Sequence, residues 1–233
     1  MFKNEKVSCF DREQAIMTGL LQEYPELFAR CEGWLDRLTV IQHYGVGTRL
    51  LDVTQNALVA LFFATEILSK EKADKEPDGV VYAFSEKQDD IDYSLEHPDI
   101  IDAQANPAFW RFKDVRSASR LVNRKIKRDD IRTRIVKPKL LTERQKRQHG
   151  WFYLFANKIG KDGSLEKESQ HIDAEEMKIF IAGRAKSQIR DGLKTCFGIS
   201  EHFLFPENVH IFAKELMTRA SELAQDSTGI IIS

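Results

Sequence analysis

Between Gln42 and Thr54 the chain crowds together residue types that can bind or move charge: Gln42, His43, Tyr44, Thr48, Arg49, Asp52 and Thr54, with Gly45 and Gly47 among them. Directly afterwards, from Ala57 to Ala64, every residue is apolar. Arg49 and Asp52, set beside such a segment, are expected to form a partly desolvated pair that orients groups in a cleft. Thr48 and Thr54 supply hydroxyls, and the glycines permit close backbone approach. Thr54 is placed to cap a helix over residues 55–69, whose first N–H groups and partial positive charge suit a phosphate or another anion. That helix is apolar on all faces from Ala57 to Ala64, which predicts central burial. The apolar half then holds the polar half as a defined pocket wall. The same residues also fit an internal Arg49–Asp52 brace with no ligand.

The elements that must position these groups follow from periodicity and punctuation. Residues 11–29 have helical spacing of Ile16, Leu20, Leu27 and Phe28, with Pro25 breaking the run. A second helix is expected from Gly33 to about His43. Beyond the charged turn EKADKEPDG, the stretch VVYAF reads as a strand, and residues 86–107 read as polar and irregular. DVRSASRLVNRKIKRDD is a basic, helical stretch, whereas TRIVKP, WFYLFAN and MKIFIAG read as strands. Lys186–Phe197 is an amphipathic helix with Ile189, Leu193 and Cys196 on one face, ended by Gly198 as a C-cap. A last helix is expected from about Glu207 to Leu223. Strands separated by helices at irregular intervals predict one α+β domain over residues 1–233, its helices packed on a small mixed or antiparallel sheet.

Composition narrows the function classes. With 42% hydrophobic and 30% charged residues, the 233-residue chain is globular rather than disordered. No apolar run is long enough to span a bilayer, and MFKNEKVSCFDRE has no signal core, so a cytoplasmic location and no membrane partner are expected. Cys9, Cys31 and Cys196 lack metal spacing, as do His97, His171 and His210, so no metal is expected. Residues 111–147 hold 15 Lys or Arg against 4 Asp or Glu, an excess of +11 within a chain of net charge −1. Such a segment can hold phosphates, RNA or an acidic partner, or form a solvated helix pair balanced by acidic surroundings. His43, or His149 beside Gln148, could act in acid–base chemistry or touch phosphate.

The pattern QHYG-x-x-TRLLD-x-T-x-N-x-LVAL-x-FA resembles the signature of FRG domains, found mainly in bacteria and phages. Arg144, Gln148, Gly150 and Phe152 match that family's R-x-x-x-Q-x-G-x-F element, and IRDGLKTCFGISEHFLFPE resembles its closing helix, Gly-Ile and Leu-Phe-Pro run. No Phe-Arg-Gly tripeptide occurs in the chain, which starts where the segment after that strand would be expected. Val53 stands in place of the usual Trp, and Gly47 and Ala57 in place of usual prolines.

The same stretch is similar to the second motif of ADP-ribosyltransferases, where a Ser/Thr-bearing strand end precedes a helix. In that likeness Thr48 to Thr54 supply the second site and Gln148 or Glu143 the third, and the missing arginine the first, so this chain could be an inactive form. The resemblance implies an enzyme directed at NAD or a nucleotide, of toxin or phage-defence type. Arg49, Asp52 and Gln148 are its catalytic candidates; His43, Tyr44, Thr48, Thr54, Asn56 and Arg144 are its ligand-binding ones. This reading requires Arg49 and Gln148 to converge on one cleft. The alternative is a non-catalytic phosphate or nucleic-acid binding module built on the basic 111–147 segment.

Overall fold

The computed structural model describes residues 9–68, 76–85, 96–123, 125–139, 142–156, 159–165, 175–206 and 210–226. The N-terminal helix α1 (Cys9–Glu23) stops short of Pro25, which opens a separate 3₁₀ turn, Pro25–Phe28. Helix α2 (Trp34–His43) begins where Asp102 accepts the Leu35 N–H at 3.2 Å, and the Trp34 N–H as well. A turn at Gly45, with a left-handed φ of 82°, leads into strand β1 (Leu50–Thr54) and then helix α3 (Ala57–Ala64). Strand β2 (Gly79–Ser85) matches the VVYAF expectation with one residue added at each end. Helix α4 (Pro98–Ala105) was not expected in the irregular 86–107 stretch. Pro98 starts it at the position where a missing N–H costs nothing, and Ile100, Ile101, Ala103 and Ala105 bury one face.

The basic stretch does not form the expected helix. Asp114 caps one turn, α5 (Val115–Ala118), and a 3₁₀ turn follows to Val122. The Ser119 hydroxyl donates to Val115 O at 2.7 Å and accepts the Ile126 N–H at 3.2 Å, which folds the chain back. Asn123 ends the turn with a left-handed φ of 49°. Strand β3 (Arg134–Val136), short helix α6 (Glu143–Arg147) and strand β4 (Gly150–Leu154) come next. Strand β5 (Glu175–Ile181), helix α7 (Lys186–Phe197), short helix α8 (Glu201–Leu204) and helix α9 (His210–Asp226) complete the order. The α7 boundaries and the left-handed Gly198 C-cap, φ 68°, agree with the sequence reading. Cys196, however, is exposed rather than on the packed face. The tail STGIIIS, which the sequence leaves unassigned, and residues 166–174 lie outside the described residues.

The chain is α+β, and among the described residues it has two antiparallel sheets: β1-β4-β3, and the pair β2-β5. One core cluster places Met17 and Leu20 of α1, Leu38 and Ile41 of α2 and Leu216 and Ala220 of α9 against Leu50, Phe152 and Leu154 of the larger sheet. A second gathers Phe109, Trp110 and neighbours around α4 and α5, and a third joins α3 to α7 and α8. Each fully buried large side chain among them contributes about 1.5–3 kcal/mol. Among the described helices, none is long and apolar enough to cross a membrane.

Helix α3 corrects two expectations. It spans eight residues rather than residues 55–69, and its cap is Asn56, whose Oδ1 accepts the Leu58 N–H at 3.0 Å. It is not centrally buried: only Val59 and Phe62 are, while Phe63 is 42% exposed. Asn56 has extended backbone (φ −100°, ψ 107°), the conformation a following proline demands. Ala57→Pro, restoring the residue usual for FRG domains, is therefore expected to leave the fold intact. It should raise stability by about 0.4–1 kcal/mol in urea unfolding. A clear loss there would overturn this account of the helix start.

Candidate functional site

Arg49 does not pair with Asp52. The two residues lie three apart along extended chain, so their side chains leave opposite faces. The Arg49 guanidinium is buried, 2.9 Å from Glu13 of α1, and also donates to Ala105 O. Its carbon lies 5.8 Å from the Trp110 ring centre. Burial pushes the Glu13 carboxyl above its ordinary range, although Arg49 acts to lower it. Asp52 faces solvent and accepts a hydrogen bond from Gln42 Nε2 at 2.9 Å. Gln42 also donates to Leu50 O at 3.3 Å and accepts from Thr48 Oγ1 at 2.8 Å. The α2 side chain thus shields the free edge of β1, leaving Thr48 a strut within the loop. His43 is buried at the end of α2, its ring edge-on to Tyr44 at 5.1 Å.

Nor do Arg49 and Gln148 converge. Leu50 pairs with Leu154 and Thr54 with Gly150, so Arg49 sits at one end of the β1–β4 ladder and Gln148 beyond the other. Five extended residues from Arg49 to Thr54 separate them by roughly 17 Å. The supposed catalytic trio of Arg49, Asp52 and Gln148 is therefore divided by the sheet.

Of the other candidates, Thr54, Asn56 and Arg144 gather with Gln148 at the far end of that ladder, whereas Thr48 stays at the near end, bonded to Gln42. Thr54 Oγ1 donates to Gln148 O at 2.6 Å and accepts the Asn56 N–H at 3.0 Å. Gln148 Nε2 donates to Leu204 O at 3.2 Å, so the amide side chain ties the α6–β4 turn to α8. Arg144 donates to His43 O at 3.4 Å and lies 4.6 Å from the Phe205 ring centre. Glu143, the other candidate for a third site, is exposed and paired with Lys146 at 2.7 Å. Three sequence motifs, around residues 54, 148 and 204, are thereby joined by hydrogen bonds at one corner.

Next to this corner is an open cleft of about 270 Å³, lined by Asn56, Leu58, Val59, Arg147, His149, Phe197, Ile199 and Phe203. Arg147 donates to Phe203 O at 3.1 Å and lies 5.5 Å from that ring centre. His149 holds a left-handed φ of 49° in the turn between α6 and β4. Such backbone in a non-glycine residue is uncommon and concentrates at ligand sites. Phe197 is 61% and Phe203 42% exposed. The cleft combines a guanidinium, an imidazole and a helix start with two open aromatic faces, which suits an anion attached to a flat ring. The importance of Arg147, Phe197 and Phe203 was not seen in the sequence. A usable signal was the Arg147–Gln148–His149 run, in which His149 must turn the chain between helix and strand.

A model of the FRG domain matches residues 7–74. Over that segment the chain is similar to the FRG domain. No curated protein and no solved structure matches the chain. The FRG match covers α1 through α3, hence Glu13, Arg49, Thr54 and Asn56. The cleft joins this FRG segment to Arg147, His149, Phe197 and Phe203, which lie downstream of the match. Among the described residues, no three His, Cys, Asp or Glu side chains are grouped to hold a metal ion.

Proposed function

We propose that this FRG-like protein binds a phosphate-bearing nucleotide in the cleft between α3, the α6–β4 turn and the α7–α8 junction. The carrying observation is that Arg147, His149 and the Asn56-capped helix start share one cleft with Phe197 and Phe203. In this reading the phosphates face Arg147 and the partial positive charge at the start of α3, and the base stacks on an exposed Phe ring. NAD is one such ligand, and an NAD-directed transferase or hydrolase of toxin or phage-defence type remains the enzymatic form of the proposal. Arg49 is a positioning residue here, since its guanidinium is engaged by Glu13 and Ala105 O on the far side. Gln148 positions the corner through Leu204 O.

Nucleic acid is the second reading. It is favoured by Lys113, Arg116, Arg120, Lys125, Lys127 and Arg128, all exposed. Other cations of the basic segment serve the fold: Arg134 is buried and donates to Asp130 O, and Lys139 pairs with Glu32 at 3.0 Å.

Calorimetric titration of the full chain with NAD and with ADP tests the first reading. Saturable binding is expected, weakened about tenfold or more by Arg147→Ala. Thr48→Ala, at the other end of β1, should leave it unchanged. No binding by folded protein, or affinity indifferent to Arg147, would defeat the proposal. Binding of oligonucleotides with a steep salt dependence and no response to Arg147→Ala would select the second reading.

A further inference from the structure

A second cleft lies toward the other end of α3, with different chemistry. Its volume is about 410 Å³, and Phe62, Phe63, Glu66, Ile67, Arg190, Glu201 and Phe205 line it. Three phenylalanine rings contribute, with Phe63 edge-on to Phe62 at 5.9 Å and to Phe205 at 6.0 Å. Two of the rings already carry guanidinium groups. Arg190 lies 4.1 Å from the Phe62 centre, held there by donation to Thr65 O at 3.2 Å, and Arg144 lies 4.6 Å from the Phe205 centre. Among the described residues, no cation is seated on Phe63, and none forms an ion pair with Glu66 or Glu201.

The charge of the cleft follows from its lining: two carboxylates against one guanidinium leave −1. The C-terminal end of α3 adds partial negative charge from its last carbonyls. A bare metal ion would find only two carboxylates and a wall of rings, too few oxygen donors to replace its water. An organic cation is different. It spreads its charge over a surface that desolvates easily, stacks on aromatic faces and still pairs with carboxylates.

We propose that this cleft binds an alkylguanidinium group, with one face on Phe63 and its N–H groups directed to Glu66 and Glu201. The recognised chemistry is shared by a small free cation and by an arginine side chain of a peptide, and the two are separated by experiment. The site is independent of the nucleotide cleft, because the lining residues of the two clefts do not overlap.

The test is titration of the full chain with propylguanidinium and with the blocked peptide acetyl-Gly-Arg-Gly-amide, followed by amide chemical shifts. Saturable shifts at α3 and α8 residues are expected with at least one probe. Binding of the free cation alone identifies a small-molecule site, whereas tighter binding of the peptide identifies a side-chain site. The variant Glu66→Gln/Glu201→Gln changes two exposed side chains, so the fold should be retained. Affinity in it should fall about tenfold, with a similar fall for Phe63→Leu. Absence of saturable binding to the folded wild-type chain would overturn the proposal. So would affinity unchanged in both variants.

Discussion

Replacing Arg49 with Met is expected to cost about 3–5 kcal/mol of unfolding free energy near neutral pH, measured by urea denaturation. The loss arises because Glu13 loses the guanidinium beside it: burial already raises its carboxyl pKa, and of the residue-49 groups that lower it only the backbone N–H remains. Glu13 is an acid whose folded pKa lies above its unfolded value. Its contribution is therefore complete below the unfolded value, about 4.3, and is lost as pH rises through the folded pKa. Without Arg49 that folded pKa climbs further, so the variant's deficit should be smaller at about pH 5 than near neutrality. Adding Glu13→Leu should restore most of the stability, because a buried pair replaced by apolar groups is close to neutral. The buried Ala105 carbonyl, left without its donor, would retain a residual cost of about 1 kcal/mol. If Arg49→Met were as stable as wild type, or its deficit did not vary with pH, the brace would not be as described.

The brace shows what the sequence can and cannot reveal. Arg49 and Asp52 are neighbours in a motif, and composition alone makes them partners. Extended geometry separates them, and the carboxylate that meets Arg49 comes from a helix 36 residues earlier. Nothing local to Glu13 distinguishes it from the chain's other acids. Helix α7 was legible because its stripe and its Gly198 stop are local signals, and two of the strands because WFYLFAN and VVYAF are rich in residues that fit a half-buried sheet. Helix α3 misled for the opposite reason. A run of apolar residues measures hydrophobicity but not which neighbours exist to bury it, and α3 ends with Phe63 partly open.

The site divides in the same way. Thr54, Asn56, Arg144 and Gln148 were identified by their motifs, and they do gather at one corner. Their side chains largely knit that corner together, while Arg147, His149, Phe197 and Phe203 face the adjoining cleft. A residue pattern reports what a local fold requires, and here the requirement is the joint between β1, β4 and α8. The groups that line the cleft depend on how α7 and α8 dock onto α3, which is a long-range property of the chain.

That docking depends on a buried clasp, and Gly183→Ala is expected to break it. The Lys186 ammonium, at the start of α7, donates to Glu66 O at 2.9 Å and pairs with Glu76 at 3.3 Å. Both side chains are only 4% exposed. Glu76 in turn accepts the Leu68 N–H at 2.8 Å, and Asp78 accepts the Gly183 N–H at 2.8 Å. A Cβ on Gly183 would fall well inside van der Waals contact of the Glu76 carbonyl, a backbone atom that no rotamer change can move. The chain must shift, separating Lys186 from its buried partners and loosening α7 from α3. A loss of about 3 kcal/mol is expected. At this chain length that lowers Tm by roughly 10 °C. Both clefts border this helix pair, so affinity for nucleotide and for propylguanidinium should fall together. Gly192→Ala, within α7 and with nothing within 4 Å of the added carbon, is the control. It should stabilise the helix by about 0.5–1 kcal/mol. Equal stability of the two variants would mean that α7 is positioned without the clasp, and the common loss of both ligands would then have no basis.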